Sequence, residues 1–430
     1  MSAPLRRAEA GLARLHQLSN GVRVICDPVP GLETLALSVV AGRGARSEDA
    51  ERSGWSHLLE HMVFKGAGER SAKDIVEVIE ADGGQINAAT GYERTSFQIR
   101  ALAGGLDLGA RVLADLVQRP TLEPEDLARE KQVVGQEIAE AADTPDDIVF
   151  EMAQAAAFGD HPLGRSILGT EASIATATPK TLGDWRAALY APDSLVVAAS
   201  GAVDEDELLA IAERDFGAAA GQGAPEPPPA EFAGGISAEA KRLEQANLVF
   251  LLPSVGVTHE DYFALRLFAE ILGGGMASRL FQEAREKRGL AYAVDAYAET
   301  YAETGVLGVF AGCAAGDAAE LAKVAAGQIM ALAERVEPAE LARAKAQLKA
   351  GLFMARESPL ARAEQAAGQV LLFGRMLTPQ EIAEDIDRVE AADLARIGAG
   401  VLAPGRAAVS VLGPKPALKA AESFQRALFG

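Results

Sequence analysis

With 430 residues, 49% of them hydrophobic and 24% charged, the chain has globular composition and room for two to four domains. A formal net charge of −20 argues against nucleic-acid and anionic-membrane partners, and no run of 18 apolar residues is present to cross a bilayer. The two cysteines, Cys26 and Cys313, cannot build a disulfide framework; they read as small buried residues of a reducing compartment. Without the apolar segment of a secretory signal near the N-terminus, the expected location is cytoplasmic.

In chain order, "VRVICDPV" (22–29) and "ETLALSVVAG" (33–42) run apolar or alternate as strands do. "GWSHLLEHMVFKG" (54–66) is an apolar helix that carries two of the five histidines. "SAKDIVEVIEADGG" (71–84) starts on a serine cap, keeps helical spacing and stops on glycine. "QINAATGYERTSFQIRAL" (85–102) reads as strand, turn and strand, with Gly91 in the turn. Long helical segments follow near 105–118, 123–142 and 146–157. The stretch from Gly217 to Gly235, "GAAAGQGAPEPPPAEFAGG", is rich in Gly and Pro and reads as an extended linker.

Beyond the linker the plan repeats. "EPEDLAREKQVVGQEI" from Glu123 returns as "EPAELARAKAQLKAGL" from Glu337, and "YAPDSLVVAASG" from Tyr190 returns as "LAPGRAAVSVLG" from Leu402, at offsets of 214 and 212 positions. A near-constant offset of about half the chain marks an internal duplication rather than a solenoid. The expected organisation is a first half at 1–217, a linker at 218–235 and a homologous second half at 236–430. Strands cluster and helices cluster within each half, which predicts an α+β fold of two homologous α/β-sandwich halves.

Positions i and i+4 share a helix face, so His57 and His61 can offer nitrogens to one ion, with Glu60 beside them. This is the inverted H-x-x-E-H order of zinc peptidases, with two ligands and a carboxylate close to the bound water. A catalytic zinc needs a third protein ligand. Helix 123–142 offers Glu130 and Glu137, seven positions apart on one face. The duplication acts as an internal control. At the offset of 214 stand Ala344 and Gly351, and the region that corresponds to the histidine helix, "AEILGGGMASRL", has no histidine pair. The acids and histidines are present together in one copy and absent together in the other, which a merely solvated helix face does not explain.

The segments "LSNGVRVI", "HLLEHMVFKG", "GGQINAATGYERTSF", "EKQVVGQEI" and "LGGGMASRLFQEAREKRGLAY" together resemble the pitrilysin–insulysin superfamily of zinc peptidases, in its mitochondrial-processing-peptidase-like branch. The likeness covers nearly the whole chain. It implies one Zn2+ per chain held by His57, His61 and Glu137, with Glu60 as general base and Glu130 orienting a ligand histidine. It implies that the Asn87–Ala88 segment is an edge that pairs with an extended peptide, with Glu93 nearby; such strand addition binds through main-chain hydrogen bonds.

The same resemblance implies that Arg285 and Tyr292 of "REKRGLAY" reach a zinc site, Tyr292 donating to the oxyanion and Arg285 holding a substrate carbonyl, with Arg288 the competing arginine. "GGG" at 273–275 resembles a shortened glycine-rich loop of the processing-peptidase partner subunit. A two-half chain resembles half of the clamshell of larger family members. It implies a homodimer enclosing a chamber, each site being completed by the opposite subunit. The expected activity is zinc-dependent endopeptidase action on unfolded or short peptides inside that chamber. The alternative is a peptide-binding or processing subunit active only with a different partner chain. His161 lies in a family-like loop, and His16 and His259 read as surface residues.

Overall fold

The computed structural model describes residues 13–224 and 226–430, which form two compact units, each with one large β-sheet. Unit 1 takes in the chain up to Glu137, Ile167–Pro227 and Phe353–Leu377; unit 2 takes in Ile138–Ser166, Pro228–Leu352 and Thr378–Gly430.

Unit 1 is built from strands β1 (Arg14–Gln17), β2 (Arg23–Pro28) and β3 (Thr34–Ala41), a short β4–β5 ribbon (Gly66–Ala67 with Arg70–Ser71), and strands β6 (Gln85–Thr90), β7 (Thr95–Leu102) and β8 (Leu195–Gly201). Its large sheet runs β1-β2-β8-β3-β7-β6, with β2 and β8 parallel and the other pairs antiparallel. Strands β3 and β8 lie centrally and are buried along nearly their whole length, which is why they read as unbroken apolar runs. Among the described residues strand β6 pairs only with β7 and forms a sheet edge. Its alternation of exposed and half-buried positions has the period of a strand covered on one face.

Before the Gly/Pro-rich stretch the chain forms the helices α1 (Trp55–Val63), α2 (Ala72–Ala81), α3 (Leu106–Gln118) and α4 (Pro124–Asp143), then α5 (Pro145–Phe158), α6 (Glu171–Ala175), α7 (Pro179–Leu189) and α8 (Glu205–Phe216). Helix α2 begins where the serine signal places it: Ser71 and Asp74 form a reciprocal capping box.

Unit 2 carries strands β9 (Gly235–Ala240), β10 (Ala246–Val255), β11 (Ala291–Thr300), β12 (Thr304–Cys313) and β13 (Ala408–Gly413), ordered β11-β12-β10-β13-β9 with only β13 and β9 parallel. After the Gly/Pro-rich stretch the chain forms α9 (Tyr262–Gly273), α10 (Ala318–Glu334), α11 (Pro338–Ala355), α12 (Pro359–Phe373), α13 (Pro379–Arg388), α14 (Ala391–Leu402) and α15 (Lys419–Phe429). Phe250 of β10 stacks on Phe424 of α15 with ring centroids 4.0 Å apart.

The compact units are not the sequential halves 1–217 and 236–430, because one helix of each half lies in the other unit. Helix α12 packs on β3 and β8 of unit 1, setting Ala363, Ala366, Ala367 and Val370 against Ile25, Val40, Val196 and Ala198. Small side chains let the helix approach the sheet closely. The contact is also polar: Arg362 forks onto the buried Asp27 at 2.5 and 2.6 Å, and the Ser38 hydroxyl donates to Glu364. Helix α5, whose start lies 214 positions before that of α12, packs on β10 and β13 of unit 2, where the Ser410 hydroxyl donates to the Val149 carbonyl at 2.7 Å.

Among the described residues of the Gly/Pro-rich stretch between α8 and β9 no helix or strand forms, and the stretch is held down. The Ala224 N–H bonds the Ala188 carbonyl of unit 1 at 3.0 Å, and the Ala233 N–H bonds the Ala157 carbonyl of unit 2 at 2.7 Å. Among the described residues no helix is long and apolar enough to cross a membrane.

Candidate metal centre

Helix α1 buries Trp55, Leu58, Leu59, Met62 and Val63 and leaves His57, Glu60 and His61 half-exposed on its other face. Its first turn is held from a distance. The buried Glu48 carboxylate accepts the Gly54 and Ser56 N–H groups at 2.8 and 2.7 Å, satisfying donors that have no partner inside the helix and placing a negative charge at the positive end of its dipole. Gly54 itself adopts φ +85°, where a Cβ would collide with the Leu168 carbonyl, so glycine is required there. The Trp55 indole donates to the Ser173 carbonyl at 3.0 Å.

Helix α4 brings its acids to the same place. Leu127, Glu130 and Val134 form its buried stripe and Glu137 continues it one turn on. Among the described residues, His57, His61 and Glu137 alone form a group with metal-ligand potential, each offering one ligand atom and all three atoms lying within 4.8 Å of one another. Glu137 Oε2 stands 3.5 Å from His61 Nε2 and 3.8 Å from His57 Nε2. Ligand atoms in a tetrahedral zinc shell stand about 3.3 Å apart, so the set is slightly open and of the right size.

The remaining ring atoms agree with that use. His61 Nδ1 is 3.1 Å from Glu130 Oε2. An ionised carboxylate can only accept, so the ring places its proton on Nδ1 and turns the Nε2 lone pair towards Glu137. Glu130, only 5% exposed, also receives Lys65 Nζ at 2.9 Å. His57 Nδ1 is buried without a hydrogen-bond partner. Burial, followed by the nearby His61, lowers the His57 pKa to about 4, which keeps the ring neutral as a ligand must be. Two imidazole nitrogens facing one carboxylate fit a borderline cation such as zinc.

Glu60 lies beside this group. Burial raises its pKa, while a 2.6 Å hydrogen bond from the Thr90 hydroxyl and the neighbouring His61 pull it back. The Tyr190 hydroxyl is buried without a hydrogen-bond partner, and burial together with the Glu60 charge keeps it a neutral phenol. Glu60 and His61 line a cleft of about 710 Å3 that continues past Phe64 and Lys65 to Asn87, Ala88 and Arg100. The main-chain edge of β6 thus runs along the cleft that contains Glu60. Glu93, in the turn after β6, pairs with the buried Arg46.

Arg285 and Tyr292 belong to unit 2. Arg285 lies in a π-helical turn, Phe281–Lys287, with its guanidinium 4.8 Å over the Phe281 ring. Arg288 is engaged by Glu283 and Glu320 at 2.9 and 3.2 Å, which leaves Arg285 as the less committed of the two arginines. Tyr292 is the extra residue of a β-bulge between Ala291 and Ala293 and is 61% exposed. Bulges re-aim side chains in this way. Gly273 of the "GGG" run ends α9, where a Cβ would strike the Ala296 backbone. That position is a close helix–strand approach rather than a free loop.

Three residues of the site escaped the sequence reading. Lys65 was legible in principle, one turn beyond His61 on the same face. Glu48 and Thr90 carry no local signal, being joined to α1 only by the fold.

Residues 23–171 match the family described as "Insulinase (Peptidase family M16)", and residues 176–348 match "Peptidase M16 inactive domain". A Rickettsia felis protein named "uncharacterized zinc protease" is 36% identical over 381 residues, 88% of this chain and 92% of that one. A Bacillus subtilis protein, also named as an uncharacterized zinc protease, is 33% identical over 88% of this chain and 93% of its own length. Among solved structures, a protease from Helicobacter pylori superposes with a TM-score of 0.87 at 21% identity, over 94% of this chain and 99% of that one. A chain of complex III2 from Candida albicans gives 0.83 at 21% identity, over 96% and 99%. The structural likenesses establish the two-domain α+β fold; the sequence matches extend to kinship, and the chain belongs to the insulinase family of peptidases, family M16.

Proposed function

We propose that the protein is a zinc-dependent endopeptidase that hydrolyses unfolded or short peptides, with His57, His61 and Glu137 holding one Zn2+. The observation that carries this reading is the convergence of two imidazole nitrogens and one carboxylate oxygen within 4.8 Å, beside a second, half-buried carboxylate. The names of the relatives support the metal assignment.

When bound, zinc would supply Lewis acidity and a water of lowered pKa. Glu60 accepts the proton of the attacking water and returns it to the departing amine. Its raised pKa makes the ionised carboxylate a stronger base for the first step, and the bond from Thr90 keeps that ionised form accessible. Glu130 holds His61 in one tautomer. The peptide adds as a further strand along Asn87–Ala88, so affinity comes from main-chain hydrogen bonds and is tolerant of side chains.

By the family resemblance, Tyr292 and Arg285 serve the oxyanion and a substrate carbonyl, and a homodimer completes each site from the opposite subunit. The exposed, bulged Tyr292 and Arg285, which is less committed than Arg288, support that role. Two free, buried cysteines support a reducing, cytoplasmic setting.

Metal analysis and cleavage of a peptide library, wild type beside Glu60→Gln, test the reading. The expected outcome is about one zinc in both proteins and turnover only in the wild type. Turnover by a fully metallated Glu60→Gln refutes Glu60 as the base, and a wild type without zinc refutes the ligand set.

A further inference from the structure

We propose that Thr90 is a positioning residue: its hydroxyl sets the orientation of the Glu60 carboxylate and ties it to the strand that receives the peptide. This inference rests on the reading of Glu60 as the base. Thr90 Oγ1 donates to Glu60 Oε2 at 2.6 Å. A free carboxylate rotates readily about its last torsion. The Thr90 main-chain N–H also bonds the Glu60 carboxylate, and the short bond from the hydroxyl adds the second hold that fixes the direction in which the group receives a proton.

The donor is itself held firmly. Thr90 is the last residue of β6 and pairs with Thr95 across the hairpin. The turn closes through Gly91 N–H to the Arg94 carbonyl at 2.8 Å. It is also strapped to a neighbouring 3-10 turn, Ala45–Ser47: the Gly91 carbonyl accepts the Ala45 N–H at 3.0 Å and the Tyr92 carbonyl accepts the Arg46 N–H at 2.8 Å. Gly44 comes so close to the Gly91 carbonyl that a Cβ there would collide with it. The Arg46–Glu93 pair closes the same strap. Glu93 therefore anchors the turn that carries Thr90.

Ala88 and Thr90 are two positions apart and share a face of β6. The edge expected to bind the peptide and the hydroxyl that aims the base are thus parts of one short, braced strand. Peptide and base keep a common frame, and the hydroxyl acts on the orientation of the base rather than on substrate affinity.

The test compares Thr90→Val, which keeps the shape and removes the hydroxyl, with Thr90→Ser, which keeps the hydroxyl, and Thr90→Ala, which removes it without bulk. Glu60→Gln is the reference; kcat, KM and zinc content are read for each. The loss of a hydrogen bond to a charged group predicts a kcat lower by about ten- to a hundredfold in Thr90→Val and Thr90→Ala, with KM and zinc content unchanged. Thr90→Ser should keep kcat within about threefold. Wild-type kcat in the Val or Ala variant overturns the inference; so does an equal loss in the Ser variant, or a change confined to KM or zinc. Turnover by zinc-loaded Glu60→Gln is a different result: it removes the base assignment on which the inference stands.

Discussion

Replacing Glu130 by Gln removes one charge and keeps the shape of the side chain. Glu130 is 5% exposed and accepts from His61 Nδ1 at 3.1 Å and Lys65 Nζ at 2.9 Å. A glutamine oxygen can still accept from His61, but as a neutral group. Hydrogen bonds to charged groups contribute about 1.5–3 kcal/mol and neutral ones about 0.5–1.5, so the substitution forfeits about 1–1.5 kcal/mol of His61 orientation. That is roughly a tenfold weaker zinc affinity, the lower end of the range for such supporting partners. Glu130→Leu removes both contacts, frees the His61 tautomer and should weaken binding by about a hundredfold. The assay is zinc titration of chelator-stripped protein against a chromophoric competitor at neutral pH, with Glu137→Gln as the reference for loss of a direct ligand. If both Glu130 variants bind zinc within about twofold of wild type, the carboxylate does not act through His61 and the reasoning fails.

Two further substitutions or treatments test the fold. Arg362→Met strips the guanidinium from Asp27, which is 3% exposed and keeps the Ser200 hydroxyl at 2.9 Å and the nearby charge of Arg356; the loss of its forked partner should cost about 3 kcal/mol in denaturant unfolding, the low end for a broken buried pair. The double variant Asp27→Asn/Arg362→Met should recover at least half of that loss, and a single variant within about 1 kcal/mol of wild type would show that the pair is not what seats α12. Burial raises the Cys26 thiol to about 11 and the Cys313 thiol to about 12, so both stay protonated at pH 8 and the reactive thiolate is scarce. A thiol reagent should therefore count almost none in the native protein and both cysteines after unfolding; rapid native labelling would contradict their burial.

Much of the site was legible because its parts are local. His57, Glu60 and His61 lie on one turn of a helix, and Glu130 and Glu137 share the i, i+7 face of another. The duplicated helix strengthens the comparison: Ala344, opposite Glu130, is 3% exposed, so the scaffold buries that position in both copies and needs an acid in only one. The β6–β7 hairpin was legible from period-two alternation around a glycine turn. The support of the start of α1 was not. Helix starts are usually marked by a cap residue in the adjacent sequence, and here the capping carboxylate of Glu48 comes from six positions before Gly54. The sharing of helices was hidden for another reason: an alanine stripe such as that of α12 has the same pattern whichever sheet it covers.

From residue order alone came the helix with its histidine pair, the acids on a second helix, the duplication and the family, since these rest on spacing along one chain segment or on segment-wide likeness. Tertiary structure alone brought Glu137 to the two rings, gave Glu130 both His61 and Lys65, set Thr90 on Glu60 and assigned α5 and α12 to their sheets. The physical reason is that helical and strand periodicity orients side chains only within an element. Which elements meet is settled by close packing and by the pairing of buried charges across tens to hundreds of residues.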